Sequence, residues 1–353
     1  MSSTLARAAS IPASSRPPRV SEDRWPHRCV KTVNALIMGA VLTLLSACDR
    51  VPVPPLKVGM NAWVGYDPLV LARDKKYLDP AVIKVIELSS SSETLRYFRN
   101  GLLDAAALTL DEVLRLADEG VKVRVIAALD TSSGADLVVA EPGIGDLTQL
   151  KGATIALEST TVGALVLQRM LDEARLQRAD VKLLPMEATQ HLIALKSHRA
   201  NAAVTYEPMA GRLKAAGYHQ IFDSSRMPGE IVDVLVVRES TALEHPEQVD
   251  ELLKGWAQGV DAVRLNPASS ADQLAAGADL SPDAYLATLQ NLTFYTPEQS
   301  LELLSGHPPI LAQNAERLSH TLLEMSVINT TPDWGRLLDP EPAMRMHQAR
   351  GPR

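Results

Sequence analysis

The chain is 353 residues long, which at roughly 100–200 residues per domain suggests two domains or lobes with a real core. Apolar residues make up 46 % and charged residues 22 %, so neither a disordered chain nor a multi-span membrane protein fits. Aromatic residues at 4 % and a formal net charge of −7 argue against a base-stacking platform and against any phosphate-backbone binder.

The charge is uneven. Residues 1–47 carry six Lys/Arg and two Asp/Glu, leaving 29 basic and 40 acidic residues from Cys48 onward, a body of net −11. Arg24, Arg28 and Lys31 precede the uncharged run Ala35 to Ala47. At 13 residues the run is too short for an ordinary membrane span of about 20, but it suits the apolar region of a secretory signal. An uncleaved single anchor is the alternative. Residues 1–25 extend further than a signal needs, as an over-called start would. Leu45-Ser46-Ala47-Cys48 resembles a bacterial lipobox, which implies lipidation of Cys48 and anchoring at the extracytoplasmic face of the inner membrane. Residues 48–55, with three prolines, read as a stiff tether. Cys29 and Cys48 are the only cysteines, so the body holds no disulfide, thiolate zinc site or cysteine nucleophile.

From Leu56 short strands and helices alternate. Leu56 to Met60 reads as a strand, and Pro68 to Tyr77 as a helix with Pro in its first turn. Val82 to Leu88 is the next strand, followed by a serine-rich start for the helix carrying Leu95, Phe98 and Leu102. Ala105 to Leu108 reads as strand, Glu112 to Glu119 as helix, and Val121 to Leu129 as strand. The same grammar repeats through 137–140, 154–157, 162–174, 181–185, 189–196, 202–205 and 209–216. This favours two α/β lobes with mainly parallel sheets. After Val237 the pattern turns helical, over 246–264, 281–292 and 296–304.

Ala135-Asp136-Leu137-Val138-Val139-Ala140 and Val232-Asp233-Val234-Leu235-Val236-Val237 look alike, each an Asp followed by a β-branched run. If one lobe is inserted into the other, these are the crossing strands. Lobe one is then 56–135 plus 236–353, and lobe two 136–235.

Asn61-Ala62-Trp63-Val64-Gly65-Tyr66-Asp67-Pro68-Leu69, Asp104-Ala105-Ala106-Ala107-Leu108-Thr109, Leu150-Lys151-Gly152-Ala153-Thr154-Ile155-Ala156 and Tyr206-Glu207-Pro208 together resemble the nitrate/sulfonate/taurine-type substrate-binding proteins of bacterial ABC importers. The resemblance covers roughly 56–330. It implies a type II periplasmic-binding fold, two lobes joined by two hinge strands, one small ligand in the cleft, and a permease and ATPase that recognise closure. A monomer suits such a hinge.

Open α/β sheets bind ligands beyond the carboxyl ends of their strands. Trp63, Tyr66 and Asp67 follow the first strand and offer an aromatic wall and a carboxylate, unless Trp63 merely caps the core. Thr109 sits where the resemblance implies a ligand-facing hydroxyl or amide. Asp130, Thr131 and Ser132 enter the first crossing, where they close over a ligand or hydrogen-bond within the hinge. Ser159, Thr160 and Thr161 open a helix whose free N–H groups favour an anion, although a plain helix cap looks the same. Tyr206 and Glu207 point into the cleft or bond to the hinge. Asp130, Asp136, Glu158 and Glu207 crowd such a pocket with carboxylates, which is awkward for a bare anion. The expected ligand is therefore an amine-bearing or zwitterionic molecule such as an aminosulfonate, and only secondarily nitrate or a plain sulfonate.

No nucleophile elbow, P-loop or dinucleotide fingerprint is present, and no cofactor or catalytic residue is expected. Glu187 and His191, four apart on a helix, match either a shared metal or, more ordinarily, a pair on a solvated face. A same-fold enzyme of the pyrimidine/thiamine type and a ligand-sensing lipoprotein are the rival readings.

Overall fold

Two β-sheets, each flanked by helices, make up the part of the chain described by the computed structural model, residues 53–350. The signal segment and Cys48 lie outside these residues, as does the tether up to Pro52. No helix among the described residues is long and apolar enough to cross a membrane.

The strands in chain order are β1 (Leu56–Asn61), β2 (Ile83–Leu88), β3 (Ala105–Thr109), β4 (Val123–Ser132), β5 (Asp136–Ala140), β6 (Thr154–Leu157), β7 (Lys182–Pro185), β8 (Ala202–Tyr206), β9 (His219–Asp223), β10 (Val232–Arg238) and β11 (Leu292–Phe294). The first sheet runs β11-β4-β10-β3-β1-β2 and the second β7-β6-β8-β5-β9. Helix Asp67–Asp74 begins with Pro68 in its first turn, and Ser90 caps helix Ser91–Arg99 by accepting from the Glu93 amide. Thr160 caps Thr161–Ala174 in the same way. Helix Pro246–Leu265 packs so closely on the first of these that a Cβ at Gly259 would lie 2.0 Å from the Pro68 carbonyl oxygen.

The sheets are mixed, not mainly parallel. The βαβ units pair β2-β1-β3 and β7-β6-β8 in parallel, whereas β5 and β10 run antiparallel to every neighbour. The crossings explain this, because β5 and β10 start at the seam between the sheets, where β8, β3 and β4 end. The registers follow: Asp136 lies opposite Tyr206, and Asp233 opposite both Thr109 and Asp130.

The outward crossing is Ser133-Gly134-Ala135, between β4 and β5. The return lies between Asp223 and Val232, since β10 pairs along its length with β3 and β4. Residues 232–235 therefore belong to the first sheet, and the boundary expected at 235/236 falls earlier. Ser132 and Ser224 tie the two crossings together, their hydroxyls 2.8 Å apart, and Ser224 Oγ also accepts from the Gly134 amide at 2.6 Å. Beyond β10 the described residues form mostly helices, with β11, whose three residues pair with β4, just past helix Pro282–Leu289. One apolar cluster runs through both lobes, with Leu110 and Leu114 sharing it with Leu165 and Met170.

Candidate ligand site between the two sheets

Strand ends from both sheets converge on a cavity at the seam. Asn61, Trp63, Tyr66 and Thr109 line it from the first lobe, with Asp233 at the start of β10, while Asp136 and Tyr206 close it from the second. Its volume is about 20 Å³, room for one water. A second cavity of the same size shares Asp136 and Tyr206 and reaches Glu158 and Thr160. Trp63 stands edge-on to Tyr66 at 6.5 Å and, across the seam, to Tyr206 at 6.0 Å between ring centres.

The polar chemistry is acidic. Asp130, Asp136, Asp233, Glu112 and Glu158 are buried around these cavities. The Tyr66 hydroxyl donates to Asp233. Glu158 accepts from the Ala188 amide at 2.7 Å, from the Ser92 amide at 3.3 Å and from the Tyr206 hydroxyl at 3.3 Å. Glu112 accepts from the Ser91 hydroxyl at 2.7 Å and from the Thr109 amide at 3.3 Å. Both Asp130 oxygens, Asp136 Oδ2, Asp233 Oδ2 and Thr109 Oγ1 have no hydrogen-bond partner within the chain. Burial pushes the Asp130, Asp136, Glu112 and Glu158 carboxyls up to about 7, and Asp233 well above the usual carboxylate range.

Of the residues singled out from sequence, Trp63, Tyr66, Thr109 and Tyr206 line the seam cavity and Thr160 its neighbour. Asp130 lies beside them, since a Cβ at Gly65 would sit 2.3 Å both from Asp130 Oδ2 and from Trp63 Nε1. The others are placed elsewhere. Asp67 accepts from the Tyr285 hydroxyl and lines a separate cavity of about 170 Å³. Thr131 bonds to the Tyr295 hydroxyl, and Ser132 is a hinge side chain. Ser159 is exposed and Thr161 is buried at the helix start. Glu207 is engaged by Lys214 Nζ at 2.7 Å and by the Gly211 amide at 2.8 Å. Among the described residues, no three His, Cys, Asp or Glu side chains converge as metal ligands. His191 is fully buried instead of solvated, and burial lowers its pKa to about 4, while Glu187 accepts from the Ser92 hydroxyl across the seam.

Asp233, Glu112, Ser91 and Asn61 were not anticipated as site residues. The look-alike motifs pointed to Asp233, because Asp136 and Asp233 open equivalent crossing strands. Glu112 stands three residues after Thr109, the spacing of a capping box that turns its carboxylate back to the Thr109 amide, but nothing in the spacing signals its bond to Ser91.

The model of the NMT1-like family matches residues 49–277. A protein of Brucella abortus (strain 2308), named as a binding protein, is 24 % identical over 155 residues, 42 % of this chain and 47 % of that one. The chain thus spans about half the length of the Brucella relatives it matches. One from Brachyspira hyodysenteriae, named as an ABC transporter periplasmic binding protein, is 21 % identical over 308 residues, 79 % of this chain and 88 % of that one. Among solved structures, the alkanesulfonate-binding protein SsuA of Xanthomonas axonopodis pv. citri, bound to MOPS, superposes with a TM-score of 0.66 at 17 % identity, covering 82 % of this chain and 98 % of its own. The desulfurization enzyme DSZB gives 0.62 at 17 % identity, covering 84 % and 99 %. The shared architecture is the periplasmic-binding-protein fold.

Proposed function

We propose that this chain, which belongs to the NMT1-like family, is the solute-capturing component of an ABC importer. It works outside the cytoplasm as a monomer, held to the membrane by a lipid on Cys48. A small polar organic molecule enters between the lobes, they close on it, and the closed form is what the permease and its ATPase recognise. The observation that carries this reading is the seam cavity, walled by strand ends of two sheets whose chain crossings are tied at Ser132 and Ser224. Closure follows from ligand contacts with both lobes, which favour the closed form by the difference in affinity between the two states. No covalent step is part of the proposal. The names of the relatives, mostly binding proteins, favour capture over the chemistry of an enzyme such as DSZB.

A thermal-shift screen of the chain from Asp49 tests this. A captured solute at 100 times its dissociation constant should stabilise the fold by about 2.7 kcal/mol. Turnover of a stabilising compound into a product would instead establish the enzyme reading. In cells, Cys48→Ala should release the protein from the membrane fraction; unchanged membrane association would remove the lipid anchor from the proposal.

A further inference from the structure

Resting on the capture reading above, we propose that the ligand is a small organic cation bearing N–H groups, a protonated amine, seated between Trp63, Tyr66 and Tyr206 with Asp136 and Asp233 as its counter-charges. No Lys or Arg lines either seam cavity. Four backbone N–H groups beside the cavities are taken by the protein's own oxygens: Glu158 holds the Ser92 and Ala188 amides, Glu112 the Thr109 amide, and Thr160 the Gly163 amide. An anion would find those seats filled and face buried carboxylates.

The unpaired carboxylate oxygens have the opposite demand. Asp136 Oδ2 and Asp233 Oδ2 line the cavity, belong to residues 7 % and 1 % exposed, and accept nothing from the chain, while the unpaired Thr109 hydroxyl and Trp63 Nε1–H beside them offer donors without charge. Buried acceptors without donors are costly, and an ammonium group supplies both the donors and the charge. Three aromatic rings around it add attraction between the cation and their faces once the lobes part enough to admit it. The absence of a converging metal-ligand triad among the described residues favours an organic cation over a metal ion.

The test is calorimetric titration of the chain from Asp49 with three sets of probes: the amines benzylamine, putrescine and agmatine; their uncharged counterparts benzyl alcohol and butane-1,4-diol; and the anions benzenesulfonate, ethanesulfonate and nitrate. At least one amine should bind a hundredfold or more tighter than any uncharged or anionic probe. Asp136→Asn and Asp233→Asn should each weaken that binding at least tenfold, and surface Asp250→Asn should leave it unchanged. If Asp233→Asn does not fold, Asp136→Asn carries the same test. Tighter binding of an alcohol, a sulfonate or nitrate would overturn the cationic ligand and leave solute capture standing. Silence from all three sets, with a folded protein, would overturn both.

Discussion

Asp136 and Asp233 are each the first or second residue of a strand that begins at the seam, so each places a carboxylate against the end of a neighbouring strand. Burial raises these acids, together with Asp130, Glu112 and Glu158, far above their values in an unfolded chain. The folded protein without ligand therefore binds more protons than the unfolded one between about pH 4 and pH 7, and its stability falls as pH rises through that window. The groups facing the cluster, Tyr66, Tyr206, Trp63 and Ser91, bring no positive charge to oppose this. Calorimetric melting at pH 5 to 8 should show the highest Tm at the acid end. A Tm that rises toward pH 8 would show that these acids are ionised and compensated in the ligand-free protein. The tightness of the site shows at Gly65, where a Cβ would collide with both Asp130 and Trp63.

The two crossings carry the chain from one sheet to the other and back. Gly134, at φ +117°, lets the outward crossing turn in a backbone region that side chains rarely adopt. Its amide and the Ser132 hydroxyl both depend on Ser224. Ser224→Ala would leave the part-buried Gly134 amide without its partner and should cost about 1 kcal/mol in urea unfolding, the net worth of an ordinary hydrogen bond. A change under about 0.5 kcal/mol would mean that water or a shifted backbone takes over that bond and that the tie is not structural.

At the scale of the whole molecule, Ser92 latches one lobe to the other. Its hydroxyl donates to Glu187 at 2.6 Å and its amide to Glu158 at 3.3 Å, both from the second lobe. Ser92→Ala keeps the amide bond and removes, besides a 3.2 Å bond with the Ser90 hydroxyl inside the first lobe, the bond to Glu187. If that bond favours closure by about 1 kcal/mol, the closed population falls and ligand affinity should drop roughly fivefold. Small-angle scattering should show a larger ligand-free radius of gyration. Unchanged scattering and affinity would assign closure to the apolar packing shared by Leu114 and Leu165.

Most elements were legible in the sequence, because helix starts such as Ser90 and Thr160 and buried runs such as Ala105 to Leu108 are local signals. β11 and the direction of β5 and β10 were not, since a three-residue edge strand has no period to read and strand direction depends on where the chain re-enters a sheet. Within the site, Trp63, Tyr66, Thr109 and Tyr206 could be found from their places after strands, a consequence of chain order. Asp67 and Glu207 carry the same chemistry at equally suggestive positions, yet Tyr285 and Lys214 draw them into other contacts. The sequence alone determined that two α/β lobes meet over a polar, carboxylate-rich seam, because residue type and order are local properties. Which carboxylates face the cavity, and that no Lys or Arg lines it with them, was decided only in the tertiary structure, where partners as far as 218 residues apart compete for a side chain.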